Sequence, residues 1–358
     1  MKRERHNHNQ EKNEDRLSVL PECILLHILS FLDPKEAVQT CILSKSWKNL
    51  WKYLPILKLT FRHFKKNPKG FTKFVSQILS LRNDSTALHT LDFHCRGRLE
   101  LHILERILKY AFSHNVQRLG VDLSCNIPQF PLSFFSCHTL TSLDLRIHFF
   151  TLTNLFPDSL DLPALTNLSL QGFLFCVGDD GRANPFSTLN KLNSLIINRC
   201  AVRDKQNLYI SSATLANLKL INDFSSSRIK FQLSTPSLCT FAYRGHVGFQ
   251  KLFTSNSNLS SIKHVNLDVS IGFEMQSNSA DNPLLLLDLL VELANVESLT
   301  ISSFTLEVLS LVHDLSKVEF NFLHNLKSLK VNTYQQSIPD GILNFLLQNA
   351  PSTKVGIH

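Results

Sequence analysis

Residues 192–202 read LNSLIINRCAV, and Leu192, Leu195 and Ile197 form a core of the type Leu-x-x-Leu-x-Leu. Nine other copies of this core begin at Leu88, Val116, Leu140, Leu165, Leu215, Leu238, Ile262, Val296 and Leu326. The intervals between successive copies are 28, 24, 25, 27, 23, 23, 24, 34 and 30 residues. Chance clustering of leucines does not produce such regular spacing, so a structural repeat is predicted.

Each core predicts a short β-strand, because alternate side chains of a strand point to opposite faces and the apolar ones can share an interior. Seven of the nine intervals fall within the roughly 20–29 residues typical of leucine-rich repeats, which stack into a curved solenoid. The two longer intervals leave room for insertions. Helices are predicted at residues 71–81, 101–113 and 283–294, with a closing helix at 338–350.

The outward face of these strands carries mostly small and polar residues. Its acids nearly balance its bases: Asp92, Asp122, Asp144 and Asp268 against Arg118, Arg146, Lys219, Arg244 and Lys330. Because the face has no basic stripe and almost no aromatic residues, nucleic-acid binding is disfavoured and a protein ligand is favoured. The candidate substrate-binding residues are Asp144, Arg146, Asn167, Gln171, Asn198, Lys219, Arg244 and Asp268.

Composition restricts the function further. The 358 residues include 63 Leu but only 11 Gly, and 18% are charged, which is unlike a disordered chain. Neither GxGxxG nor GxxxxGK[ST] occurs, so nucleotide-driven chemistry is not expected. The serines lack a GxSxG motif, and the chain is therefore predicted not to be an enzyme.

Metal and redox sites are also not expected. The eight cysteines are scattered without a CxxC pair and are predicted to be buried and reduced. The fifteen histidines show no HExxH spacing and are predicted to lie on the surface. Asp179-Asp180-Gly181 lacks the surrounding ligands of a calcium loop and is interpreted as a turn. No cofactor is predicted.

The amino terminus predicts an intracellular protein. Residues 1–14 are polar and charged, without the apolar segment of a secretory signal, and are expected to form a disordered tail. The most apolar run, Leu284 to Leu293, contains Asp288 and Glu292 and is shorter than the roughly 20 residues that span a bilayer, so no membrane association is expected. Whether the protein is nuclear, cytoplasmic or both stays open.

Residues 15–54 predict three short helices. Pro21 suits a first helical turn, and Asp33-Pro34 both ends that helix and begins a second. Ser44 is the predicted cap of a third helix, which carries Trp47 and Trp51 on one face. A unit of about 40 residues has too little interior for all its apolar side chains. Some of them must pack on the rest of the chain or dock a partner.

The same stretch closely resembles the F-box motif of the large plant F-box/leucine-rich-repeat family. The matching segments include Asp15 to Ser18, Leu20 to Glu22, Ile28 to Leu32 and Leu43 to Trp51, and the match extends over about 37 residues almost without gaps. In that family the motif binds a Skp-type adaptor. The adaptor-binding positions that the resemblance implies are Leu20, Pro21, Ile24, Leu25, Ile28, Leu32, Val38, Leu43, Ser44 and Trp47.

The resemblance therefore implies a fold and a function. The predicted fold class is α/β: a three-helix F-box at 15–54, then an irregular leucine-rich-repeat solenoid at 55–358. The implied role is substrate recognition in an SCF-type cullin ubiquitin ligase, with the adaptor linking the chain to the cullin and the repeats binding an unknown protein target. The alternative is a repeat scaffold outside any ligase, in which the first helices cap the solenoid and expose no apolar face. Many relatives continue into an FBD segment, which is expected to be absent here or present only at its beginning.

The net charge of +8 has a local origin. From Lys52 to Asn83 the chain has eight basic residues and no acid, which leaves 29 bases and 29 acids elsewhere. This segment is either a solvated linker and helix face or a surface that steers an acidic partner, such as the adaptor or the substrate.

Overall fold

The fold is described from a computed structural model. The described residues are 17, 19–64, 67–97, 99–124, 130–131, 136–148, 154–178, 181–203, 207–222, 229–246, 251–270, 283–293, 295–312, 323–334, 338–348 and 350–358. The predicted tail at 1–14 and the acids Asp179 and Asp180 lie outside them, as do Lys65 and Lys66 of the basic segment.

The described helices lie mainly near the two ends of the chain. They are α1 (Glu22–Leu29), α2 (Pro34–Gln39), α3 (Pro68–Leu81), α4 (Leu101–Ser113), α5 (Leu284–Glu292), α6 (Ser303–Ser310) and α7 (Ile342–Leu347). Single turns of 3-10 helix occur at Thr40–Ile42, Lys45–Trp47, Leu50–Tyr53 and Phe61–Phe64. No helix in the described part of the chain is both long and apolar enough to cross a membrane.

Strands form the rest of the framework. They are β1 (Ile56–Thr60), β2 (Thr90–Arg96), β3 (Arg118–Ser124), β4 (Ser142–Ile147), β5 (Leu155–Phe156), β6 (Asn167–Gln171), β7 (Leu174–Phe175), β8 (Ser194–Asn198), β9 (Ala201–Val202), β10 (Leu208–Ser211), β11 (Asn217–Asn222), β12 (Phe231–Ser234), β13 (Thr240–His246), β14 (His264–Ser270), β15 (Ser298–Ser302), β16 (Ser328–Asn332) and β17 (Lys354–Ile357). Twelve of them form one sheet in the order β1-β2-β3-β4-β6-β8-β11-β13-β14-β15-β16-β17. The fold is therefore mixed α/β, with helices first and a repeat-rich strand region after them.

All ten predicted strands are confirmed, and the sheet explains their spacing. Neighbouring strands are parallel and pair equivalent positions of successive repeats, as with Leu195 beside Leu218 and Ile197 beside Leu220. The second and third positions of each core are buried in a single apolar cluster. The first positions are also buried, each with at most 4% of its surface exposed. Stacked leucines thus form a continuous core along the sheet.

Several elements differ from the sequence expectations. The third helix of 15–54 is wrong as a continuous helix: two 3-10 turns replace it, and they are separated at Asn49, whose φ of +69° is left-handed. Asparagine tolerates this conformation better than most residues, and it ends the helical path. The predicted closing helix is shorter than expected, and α6 was not predicted. β1 and β17 extend the predicted row of strands at its two ends.

Arg82 ties the amino-terminal helices to the sheet. Its side chain is buried, with 4% exposed, at the end of α3. Nη2 donates to the Leu54 carbonyl oxygen at 2.6 Å, and Nε donates to the Tyr110 hydroxyl on α4 at 3.0 Å. Nearby, the Asn83 amide donates to the Lys52 carbonyl oxygen at 3.2 Å. The helical module therefore packs directly onto the first repeats.

Candidate partner-binding surfaces

The helical module has its own buried core. Pro21 begins α1, and Asp33 and Glu36 form a reciprocal capping box at the start of α2, where Asp33 Oδ1 accepts from the Glu36 amide at 3.0 Å. Leu29, Leu50 and Trp51 are buried, because α1 and α2 pack against the 3-10 turns. This arrangement fixes which apolar side chains are left outside.

A group of large apolar side chains on this module is exposed. Ile24 is 44% exposed, Leu43 60%, Phe31 72% and Ile42 88%. A fully buried side chain of this size contributes about 1.5–3 kcal/mol. Exposing several of them on one small module is therefore typical of a protein-docking site.

The ten predicted adaptor-binding residues divide by exposure. Pro21, Ile24 and Leu43 are exposed, and Leu20, Ile28, Leu32, Val38 and Ser44 are half-buried. Leu25 and Trp47 are buried in the chain's own core, with 2% and 4% of their surfaces exposed. These two side chains position α1 and the turn at Lys45–Trp47, and they are not presented to a partner in this structure. The other eight stay predictions of adaptor contact.

Sequence reasoning left five exposed large apolar side chains of this module out of the candidate set. Leu17 is 55% exposed, Val19 81% and Tyr53 42%, and Phe31 and Ile42 join them. Helical spacing alone could not separate Phe31 from the buried positions of α1. Its exposure follows from the end of α1 at Leu29, after which the chain turns toward α2. Ile42 is the last residue of the 3-10 turn that follows α2, and the sequence contained no signal for this turn.

The outward face of the sheet forms a second candidate surface. The strand register aligns its residues into rows, with Asp144 beside Ser169 and Arg146 beside Gln171. Of the eight predicted substrate-binding residues, four are exposed, three are half-buried and one is buried. The exposed ones are Arg146, Asn167, Lys219 and Arg244; the half-buried ones are Asp144, Asn198 and Asp268; the buried one is Gln171.

A chain of polar contacts crosses five strands of this face. His94 Nδ1 lies 3.6 Å from Asp122 Oδ2, and His148 Nε2 lies 3.1 Å from Asp122 Oδ1. His148 Nδ1 is 3.0 Å from Gln171 Nε2, and Asn198 Nδ2 donates to Gln171 Oε1 at 2.8 Å. Gln171 is only 7% exposed because its neighbours cover it. The contacts with His148 and Asn198 hold the Gln171 side chain in place on this face.

Ion pairs add charge of both signs to the same face. Arg146 Nε donates to Asp144 Oδ1 at 3.0 Å, and this hydrogen bond raises the pKa of Arg146. Further along the sheet, Arg244 Nε lies 3.7 Å from Asp268 Oδ2. The outward face is therefore polar, and several of its charged side chains pair with each other. Such a face can hydrogen-bond to a protein surface.

The described cysteines are free thiols that differ in burial. Cys95, Cys137 and Cys200 are buried, and burial raises the pKa of Cys200 to about 12. Cys23 is exposed, so the expectation that the cysteines are buried is wrong there. Among the described residues, no group of three or more His, Cys, Asp or Glu side chains could hold a metal ion.

Comparisons with known proteins identify the family. The sequence model of the F-box domain matches residues 17–59. An F-box/LRR-repeat protein of Arabidopsis thaliana is 30% identical over 361 residues, which cover 98% of this chain and 73% of the relative. The chain belongs to the plant F-box/LRR-repeat family. An F-box/FBD/LRR-repeat protein of the same plant is 28% identical over 66% of this chain, and the match spans only 55% of that relative.

The F-box match ends at residue 59, beyond the predicted boundary at residue 54, and includes most of β1. In this F-box/LRR-repeat chain β1 pairs with β2 and so belongs to the sheet as well. The helical module and the strand region thus share residues 56–59, and the boundaries predicted at 15 and 54 stay predictions. Another Arabidopsis F-box/FBD/LRR-repeat protein is 27% identical over 95% of this chain and 76% of its own length.

Proposed function

We propose that this protein is the substrate-recognition subunit of an SCF-type cullin ubiquitin ligase. Its F-box binds a Skp-type adaptor, which links it to a cullin, and its repeats hold a protein target. The exposed apolar side chains of the F-box carry the proposal, above all Phe31 and Ile42 at 72% and 88% exposure. Such side chains are stabilised by a partner's apolar groove.

The proposal requires no catalytic residue in this chain. Ubiquitin is transferred by an enzyme bound elsewhere in the complex, and the receptor contributes proximity by holding the target nearby. Participation in such a complex places the protein inside the cell, in the nucleus, the cytoplasm or both.

In this proposal the repeats form a solenoid. Twelve parallel strands follow one another in chain order within one sheet, which supports this architecture. The polar contacts from His94 to Asn198 support the choice of this section of the outward face for a protein target. The eight substrate-binding residues predicted above belong to the same proposal.

The scaffold alternative requires F-box helices without an exposed apolar face. Ile24, Phe31, Ile42 and Leu43 do not fit that requirement. Protease resistance at the Trp51 to Pro55 junction does not separate the two functions. That junction is already held by Trp51, Leu54 and the Arg82 contacts in the chain alone.

Co-purification with a Skp-type adaptor tests the proposal. We expect Ile24→Asp/Leu43→Asp to abolish recovery of the adaptor, and Leu20→Ala/Pro21→Ala to reduce it. Leu311→Asp is the matched control, because Leu311 is 57% exposed in the strand region and far from α1 in sequence. Equal recovery with wild type, the double variants and the control, or no recovery with any of them, contradicts the proposal.

A further inference from the structure

The F-box end of the molecule has a one-sided charge. Between Ala37 and Asn83 the chain contains ten Lys and Arg residues and no Asp or Glu. We define the cationic strip as Lys45, Lys48, Lys52, Arg62, Lys69 and Lys73. All six lie on the described surface, five of them exposed and Lys52 half-buried. None of the six is paired with a carboxylate of the described residues.

Two contacts bring the parts of the strip to the same end of the molecule. Lys35 Nζ on α2 lies 5.6 Å from the centre of the Phe64 ring, and Phe64 packs against Phe74 on α3. The Lys52 carbonyl oxygen accepts from the Asn83 amide just after α3. The lysines of α3 therefore flank the module that exposes Phe31 and Ile42.

Within the described residues the strip makes one ring contact, from Lys52 Nζ to the Trp51 ring at 5.9 Å, and the lysines of α3 make no such contact. Lys69 and Lys73 stand four residues apart on α3, where like charges repel and slightly destabilise a helix. Arg82 is buried, and its hydrogen bonds give it a structural role, so it does not belong to the strip. Lys58 on β1 is also set apart, because Asp92 is its neighbour in register on β2.

We propose that the cationic strip guides the adaptor to the F-box, and that the adaptor surface approaching this end is acidic. The inference rests on the proposed adaptor docking and adds its electrostatics. Apolar contacts mainly set how long a complex lasts, whereas complementary charges mainly set how fast it forms. The module beside the strip exposes the apolar side chains Phe31 and Ile42, which a protein surface can cover and a phosphate backbone cannot. A protein partner is therefore favoured over nucleic acid.

Binding kinetics with a purified Skp-type adaptor test the inference. The strip variant is Lys45→Glu/Lys48→Glu/Lys69→Glu/Lys73→Glu, which changes the net charge by −8. The matched control, Lys191→Glu/Arg203→Glu/Lys330→Glu/Lys354→Glu, makes the same change at exposed basic residues of the strand region. At about 50 mM salt we expect the strip variant to associate about tenfold more slowly than wild type and the control to change much less. At about 500 mM salt the difference should vanish, with dissociation rates unchanged throughout.

Each other result has a distinct meaning. If association at low salt is equal for the strip variant and the control, the strip has no steering role while adaptor docking stands. A defect that persists at high salt, with faster dissociation, indicates direct contact or misfolding and overturns steering. If the variant instead loses binding to a short duplex RNA and keeps its adaptor kinetics, the strip is a nucleic-acid surface. If wild type binds no adaptor at any salt, the proposed function itself fails.

Discussion

At the residue scale, Arg82 shows how one buried cation joins two modules. Its guanidinium satisfies the Leu54 carbonyl oxygen and the Tyr110 hydroxyl, so Arg82→Met leaves both without this donor in a buried site. We expect the substitution to lower the free energy of unfolding by about 2–3 kcal/mol. Urea titration followed by circular dichroism measures this change.

Arg106 provides the matched control for Arg82. Its guanidinium also makes two hydrogen bonds, to Ser76 and Ser80 across α3 and α4, but it is exposed to water. Since water replaces the lost contacts there, Arg106→Met should cost less than about 0.5 kcal/mol. If the two variants lost equal free energy of unfolding, burial of Arg82 would not be the reason that its hydrogen bonds stabilise the protein.

Residue patterns also explain which parts of the F-box surface the sequence could predict. In α1 the apolar residues Ile24, Leu25, Ile28 and Leu29 are so closely spaced that periodicity does not say which side faces inward. The inward side is set by the 3-10 turn Leu50–Tyr53, which comes later in the chain and packs against α1, where Leu25 and Leu29 are buried. Exposure of Ile24 therefore depends on tertiary packing, which a local pattern does not contain.

At the element scale, strands could be predicted wherever the apolar repeat core occurs in the sequence. β1 also has such a pattern, since Leu54, Leu57 and Leu59 reproduce the repeat core, but Leu54 had been assigned to the F-box. β17 lacks it: Val355 and Ile357 are 43% and 56% exposed at the end of the described sheet. The helix α6 begins where the Ser302 side chain caps the Thr305 amide, a signal too short to separate from a turn.

Ion pairs link the residues that directly precede three neighbouring strands, β14, β15 and β16, and they make the stability depend on pH. Glu297, just before β15, accepts from Lys327 Nζ at 2.6 Å and lies 3.2 Å from Lys263 Nζ. The hydrogen bond from Lys327 is the main cause that lowers the pKa of Glu297. Because the pKa of Glu297 is lowered, its ion pairs stabilise the fold at pH values above the ordinary pKa of a glutamate, near 4.3. This contribution is lost as the pH falls through the pKa of Glu297 in the folded state.

Glu297→Gln tests this linkage. Glu297 is half-buried and both lysines are exposed, so water screens the pairs and we expect a small loss of stability at pH 7 that shrinks further in high salt. The unfolding midpoints of wild type and variant should converge as the pH falls below the lowered pKa of Glu297. A difference that stays constant from neutral to acidic pH would mean that the amide changes packing rather than charge.

At the scale of the whole molecule, the order of the sheet limits how far a local defect spreads. Among the described strands of this sheet, each pairs only with the strands beside it in the order, so coupling between distant repeats passes mainly from strand to strand. Leu91 in β2 and Leu329 in β16 occupy the same position of their repeats and are both completely buried. Leu→Ala at either site removes the same atoms and should cost about 2–5 kcal/mol locally.

The two Leu→Ala variants should therefore differ in where they act. We expect Leu91→Ala to speed amide hydrogen exchange in β1 to β3 and to weaken adaptor binding, because the F-box packs against those strands. Leu329→Ala should speed exchange in β15 to β17 and leave adaptor binding unchanged. Hydrogen exchange read by mass spectrometry, together with the adaptor affinity of each variant, measures both effects. If either substitution accelerated exchange equally along all twelve strands, the sheet would unfold as one cooperative unit, and defects at its far end would reach the F-box.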